Sequence, residues 1–237
     1  MYFSFIFSCD RILTMDFDVV KVKEDVLIEN NQRADELRKV LKDKGIYFIN
    51  VMASPGAGKT TLLINLINKL KNDFKIGVME ADIDGDVDAA RIIENTGVRS
   101  IQIHTSGACH LTAQMTGDAI DKFNVDGLDL VFLENVGNLV CPAEFDTGAT
   151  MDMVILSIPE GDDKPLKYPL VFEKCDLVII NKIDTLPYFN FNLDNCKEWI
   201  LKRNKNATII PISAVTGEGI EEIANYFRNK IKNWKEK

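Results

Sequence analysis

Apolar positions along this chain follow two different periods. In residues 24–44 Leu27, Ala34, Leu37 and Leu41 recur at helical spacing among charged residues, which predicts an amphipathic helix with Gly45 placed to end it. From residue 47 the apolar residues come in nearly continuous runs: 47–53, 74–80, 98–104, 128–134, 151–159, 177–181 and 208–212. Runs of this kind are strands buried on both faces. Helical spacing returns after residue 60, over 86–96 (closed by Gly97), over 111–123, and near 193–203 and 219–232. Strands alternating with helices predict an α/β fold, a mostly parallel central sheet of about seven strands with helices on both faces. Residues 1–45 read as an N-terminal extension and helix, and 46–237 as one α/β domain without internal repeats.

Parallel sheets bind ligands at the carboxyl ends of their strands, and the chemically informative residues fall there. The first strand runs into Ala53-Ser54-Pro55-Gly56-Ala57-Gly58-Lys59-Thr60, followed by a helix from Thr61. Strand, glycine-rich turn, Lys-Thr and helix form a phosphate-binding loop. Gly56 and Gly58 let the backbone approach phosphate oxygens, and Pro55, Ala57 and Thr61 complete the cradle. Lys59 is placed to reach the β- and γ-phosphates, and the Thr60 hydroxyl to ligate magnesium. Ala53 stands where such loops usually begin with glycine, a mild change at negative φ.

Asn181-Lys182-Ile183-Asp184 follows the sixth run and resembles the N-K-x-D element of GTPases. A carboxylate at Asp184 accepts from guanine N1–H and its 2-amino group together, a pair that adenine lacks. Asn181 would brace the loop, and the Lys182 stem would cover the ring. After the next strand, Ser213-Ala214-Val215 resembles the S-A-K element, whose backbone N–H meets guanine O6, with Val215 in place of lysine. The order of these elements makes GTP or GDP the expected nucleotide.

Asp82 and Glu134 each close an apolar run and join Thr60 as candidates for magnesium, with Lys59 completing the catalytic set. Glu134-Asn135-Val136-Gly137 has the form of a D-x-x-G switch with Glu for Asp, so the Gly137 N–H is placed to sense the γ-phosphate. The stretch from Asp82 to Asp88 begins like an EF-hand, but its twelfth position is Ile93, which removes the required glutamate and leaves an acidic loop near the nucleotide. Asp86 and Asp88 are the candidates there for orienting the attacking water. Cys109, His110 and Cys141 supply two thiolates and an imidazole, a set suited to zinc or nickel. From the residues alone, a buried free cysteine and an incidental histidine are the favoured account. Cys175 and Cys196 read as packing cysteines, and His104 as a structural histidine at a strand end.

Composition narrows the classes. Over 237 residues the net charge is −8, which disfavours nucleic-acid and anionic-membrane surfaces. The five cysteines are scattered, without a C-x-x-C pair, so a reducing cytoplasm fits better than a disulfide framework. The apolar start, Met1 to Phe7, is too short to span a bilayer and has no basic residue before it. Met15 reads as the biological start, with residues 1–14 an upstream extension.

The motifs together resemble a known family, the HypB GTPases of nickel insertion, in the SIMIBI class of P-loop GTPases. The resemblance spans about residues 20–232. Its residues are Ser54 to Thr60, Asp88-Ala89-Ala90-Arg91-Ile92, Cys109-His110-Leu111, Glu134 to Pro142, Glu160 to Pro169, and Asn181 to Asp184. It implies an Mg2+-dependent GTPase domain and a role in maturing [NiFe]-hydrogenase. It also implies that Cys109, His110 and Cys141 hold Zn2+ or Ni2+ at a subunit interface of a homodimer promoted by GTP. Implied partners are a HypA-type nickel chaperone and the hydrogenase large-subunit precursor. The chain lacks the histidine-rich tract and N-terminal cysteine motif of some members, having only Cys9 there, so tight N-terminal nickel storage is not expected. The related roles sharing this core are urease-type and cobalamin-type assistance, and a rival of another class is a metal-storage protein with a vestigial GTPase. The Cys-His pair with its downstream Cys argues against the cobalamin type, and the longer loops against the urease type.

Overall fold

The computed structural model describes residues 10–83 and 87–236, with side chains from residue 24. Cys9, Asp84 and Asp86 lie outside the described residues, as does the side chain of Met15. Among the described residues no helix is long and apolar enough to cross a membrane.

The N-terminal helix α1 (Asp10–Asp43) begins well before the predicted residue 24. It ends at Gly45, whose φ of +73° suits glycine, and the Ile46 N–H bonds back to the Leu41 carbonyl at 2.9 Å. Then strands and helices alternate: β1 (Tyr47–Ala53), α2 (Lys59–Leu70), β2 (Ile76–Asp82), α3 (Val87–Thr96), β3 (Arg99–His104), α4 (Ala113–Phe123) and β4 (Leu130–Glu134). The short helix α5 (Cys141–Glu144) precedes β5 (Met151–Ser157), which is followed by the short α6 (Lys164–Lys167) and α7 (Pro169–Lys174). β6 (Leu177–Asn181), α8 (Leu193–Arg203), β7 (Thr208–Pro211) and α9 (Ile220–Lys235) complete the chain.

The seven strands form one sheet in the order β3-β2-β4-β1-β5-β6-β7, and every pairing is parallel. Alternate residues of β1 serve opposite faces. Tyr47, Ile49 and Val51 meet α2, α3 and α9 through residues such as Leu63, Ile92 and Phe227. Phe48 faces Leu41 of α1 and Phe123 of α4, while Met52 faces Phe172 of α7 and Ile200 of α8. The run predicted over 151–159 divides because Pro159 cannot donate to the ladder, and Glu160 closes a tight turn by accepting from Ser157 N and Oγ at 2.8 and 2.7 Å. Cys175 and Cys196 are buried, and burial pushes both thiols up to about 12, so they pack as inert apolar groups.

Candidate nucleotide and metal sites

β1 lies mid-sheet, between β4 and β5, so the loop at its carboxyl end opens onto the switch point of the sheet. Gly56 and Gly58 both take positive φ, +74° and +97°. Gly58 caps α2 and has a second reason to be glycine: a Cβ there would stand 2.6 Å from Asn181 Nδ2. The base loop leans directly on the phosphate loop. Asn181 Nδ2 donates to Ala57 O at 2.9 Å, and Lys182 Nζ to Gly56 O at 2.7 Å. Asn181 Oδ1 accepts from Lys182 N and Ala214 N at 2.8 and 3.0 Å. The Ala214 N–H of the segment resembling S-A-K is thus engaged by Asn181. Ser213 is buried, with its hydroxyl accepting from Thr216 N at 3.1 Å. Asp184 is exposed at the start of a short 3-10 turn.

A cavity of about 220 Å3 lies beside the phosphate loop, lined by Lys59, Thr60, Thr61, Asp88, Arg91 and Glu134. Thr60 Oγ1 donates to Glu134 Oε1 at 2.9 Å, while Glu134 Oε2 is buried without a hydrogen-bond partner. Register places Glu80 of β2 directly opposite Glu134 of β4, and with Asp88 their carboxylate oxygens lie within 4.8 Å of one another. Burial, with repulsion from Glu134, pushes Glu80 up to about 8, and burial pushes Glu134 up to about 7 against the nearby Lys59 ammonium and the Thr60 bond. A bare carboxylate cluster of this kind is costly, and the orphaned Oε2 beside a Thr hydroxyl fits a hard divalent cation. Asp82 sits one residue pair further along, opposite His104, and leads into the undescribed residues 84–86.

The soft donors gather on the loops beyond β3 and β4. Cys109, His110 and Cys141 bring their ligand atoms within 4.8 Å of one another, each partly buried. Cys109 Sγ lies 3.6 Å from His110 Nδ1, and the His110 ring stacks on Phe145 at 3.9 Å with an 18° interplanar angle. The Cys141 thiol, followed by burial, pushes Cys109 up, and burial pushes His110 down. Two thiols and a neutral imidazole at these separations fit a soft or borderline cation, with a position left open.

One segment joins the two centres. Glu134 ends β4, Asn135 Nδ2 donates to Asn50 Oδ1 at 3.0 Å, and Gly137 lies against Pro55 so closely that a Cβ would stand 3.1 Å from its Cγ. Asn138 Nδ2 reaches Cys109 O at 3.4 Å, and Cys141 opens α5. The residue pattern did not reveal Glu80, Asn138 or Phe145. The strand period gives Glu80 and Asp82 the same face, so only the β2–β4 register separates them.

A phosphate loop, an N-K-x-D loop braced against it and an all-parallel sheet define a P-loop nucleotide-binding domain. The family profile described as CobW/HypB/UreG, nucleotide-binding domain, matches residues 47–211. The chain is 45% identical over 203 residues to hydrogenase maturation factor HypB of Rhizobium leguminosarum bv. viciae, covering 86% of this chain and 68% of that protein. It is 41% identical over 215 residues to hydrogenase/urease maturation factor HypB of Helicobacter pylori, covering 89% and 88%. The crystal structure of Helicobacter pylori HypB in complex with nickel superposes with a TM-score of 0.82 at 40% identity, covering 86% of this chain and 96% of that one. This chain belongs to the HypB family of maturation factors.

Proposed function

We propose that this chain is a GTPase that delivers nickel to hydrogenase precursors in the cytoplasm and couples nucleotide state to metal affinity. The observation that carries the reading is the continuous segment from Glu134 to Cys141. It begins at the carboxylate cluster, passes Pro55 of the phosphate loop, and ends on Cys141, a candidate metal ligand. Asp184 would select guanine, while Asn181, Lys182, Ser213 and Ala214 shape the base loop. Thr60 and Glu134 would hold Mg2+, with Glu80 and Asp88 beside it, and the ion would neutralise charge on the β- and γ-phosphates. Lys59 and the Gly137 N–H would face the γ-phosphate.

Nickel or zinc is the cargo of Cys109, His110 and Cys141. A homodimer formed with GTP would close the open position of that site. Donation would come from a HypA-type chaperone, and the hydrogenase large-subunit precursor would receive the metal. The Helicobacter pylori relative is named for urease as well, so transfer assays with either apo-enzyme separate the two acceptors.

Nickel titration in the presence of GDP and of a non-hydrolysable GTP analogue tests the coupling. The expected difference in affinity is about 5-fold or more. Equal affinities would overturn the coupling.

A further inference from the structure

The buried stripe of α1 contains one polar member. Leu27, Ala34, Leu37 and Leu41 are its apolar positions, and Asn30, only 6% exposed, occupies the remaining place at the same spacing. Asparagine is a poor helix former, and its amide must be fully satisfied to be buried. Both ends of this amide are. Oδ1 accepts from Ala113 N at 2.9 Å, and Nδ2 donates to the Asp146 carbonyl at 2.9 Å.

Those two partners flank the soft-metal centre. Ala113 opens α4, three residues after His110, and Asp146 follows Phe145, on whose ring His110 stacks. Cys109 and His110 arrive from one loop, and Cys141 and Phe145 from another. Asn30 ties the two loops together, and the amide of Asn138 adds a weaker tie to Cys109 O. Neighbouring α1 side chains reinforce the seam: Arg33 bonds Gln114, and Arg38 holds the Asp146 carboxylate at 2.7 Å and the Ala149 carbonyl at 2.9 Å.

We propose that Asn30 is a positioning residue for the Cys109–His110–Cys141 centre, so that α1, which lies outside the matched nucleotide-binding region 47–211, is a structural part of the metal site. The inference rests on the reading that these three residues bind metal. Groups hydrogen-bonded directly to metal ligands change affinity about 10- to 100-fold when lost; Asn30 acts one step further back, through the backbone of the two ligand loops, so an effect of about 5-fold is expected.

Cobalt(II) serves as the probe, because its thiolate charge-transfer and d–d bands report ligand number and geometry. The wild type, Cys141→Ala, Asn30→Ala and Asn30→Leu are titrated with cobalt and, separately, with GDP. Asn30→Leu completes the apolar stripe at similar size and so favours folding while removing both bonds. For the Asn30 variants the expected result is cobalt affinity lowered about 5-fold or more with altered d–d bands, and GDP affinity within about 2-fold of wild type. Wild-type affinity and spectrum in either variant that still binds GDP would overturn the inference. Loss of GDP binding in both would also overturn it, by making Asn30 a folding residue of the whole domain. If instead Cys141→Ala binds cobalt as the wild type does, the metal-site reading itself fails and takes the inference with it.

Discussion

Asn181 links three segments with one amide: the phosphate loop through Ala57, its own turn through Lys182, and the last strand's loop through Ala214. Its neighbour Lys182 is held in the left-handed region at φ +66°, a conformation compensated by that amide and by the bond from Nζ to Gly56 O. Gly58 is the residue this arrangement tolerates least in any other form. Gly58→Ala would force a methyl group against Asn181 Nδ2 and place alanine at φ +97°. The expected outcome is a loss of about 1–3 kcal/mol of stability and at least about 10-fold in GDP affinity, read by thermal melts and nucleotide titration. Unchanged GDP affinity would refute the direct seating of the base loop on Gly58. At this scale the sequence reading went furthest where backbone geometry demands a particular residue type, at Gly56 and Gly58, both held at positive φ. It went least far where a group is defined by its neighbours in space. Glu80 and Asn30 belong to elements that sequence position alone does not bring to their sites.

Five strands, β1, β2, β4, β5 and β6, were legible as apolar runs buried on both faces, while the edge strands β3 and β7 are only partly buried, and strand boundaries moved by only a few residues. α5, α6 and α7 were not, since helices of four to six residues contain too little of a helical period to register. Yet α5 carries Cys141 and leads into Phe145, whose ring stacks on His110, so a short element supplies one of the three candidate ligands and supports another. The segment before it makes a prediction of its own. A methyl at Gly137 would meet Pro55 at 3.1–3.4 Å, tight contact against both ring and backbone. Gly137→Ala should push the segment off the phosphate loop while leaving Cys141 in place. Nickel binding should persist, and the difference in nickel affinity between GDP and GTP-analogue states should shrink by about 1 kcal/mol or more. A variant that keeps the full difference would show that the signal travels by another route.

Stability of the whole molecule carries a pH signature from a partly buried carboxyl. Asp152 of β5 accepts from Asn50 Nδ2 at 2.8 Å, and burial, with Asp146 and Asp176 nearby, pushes its carboxyl up to about 6. An acid whose folded value is raised is stabilising below its ordinary range, near 3.8, and that stability is lost as pH rises through 6. Asp152→Asn keeps an acceptor for Asn50 and removes the charge. The variant should melt higher than the wild type at pH 7, by an amount of order 1–2 kcal/mol, and the two should converge toward pH 4. Parallel pH profiles for the two proteins would exclude Asp152 as the source.

The position of β1 also sets an order of events during synthesis. Its hydrogen bonds go to β4 on one side and β5 on the other, so the strand supporting the phosphate loop is incomplete until residue 155 has emerged. The brace from Asn181 comes later, and the bond from Ala214 later still. At ribosomal speed the wait between Thr60 and Ala214 is on the order of ten seconds. A nascent chain therefore displays its phosphate-loop residues long before it can grip a nucleotide. Capture of a nucleotide becomes a late checkpoint that rewards only chains translated past residue 214, and shorter products would face cellular proteases without that protection.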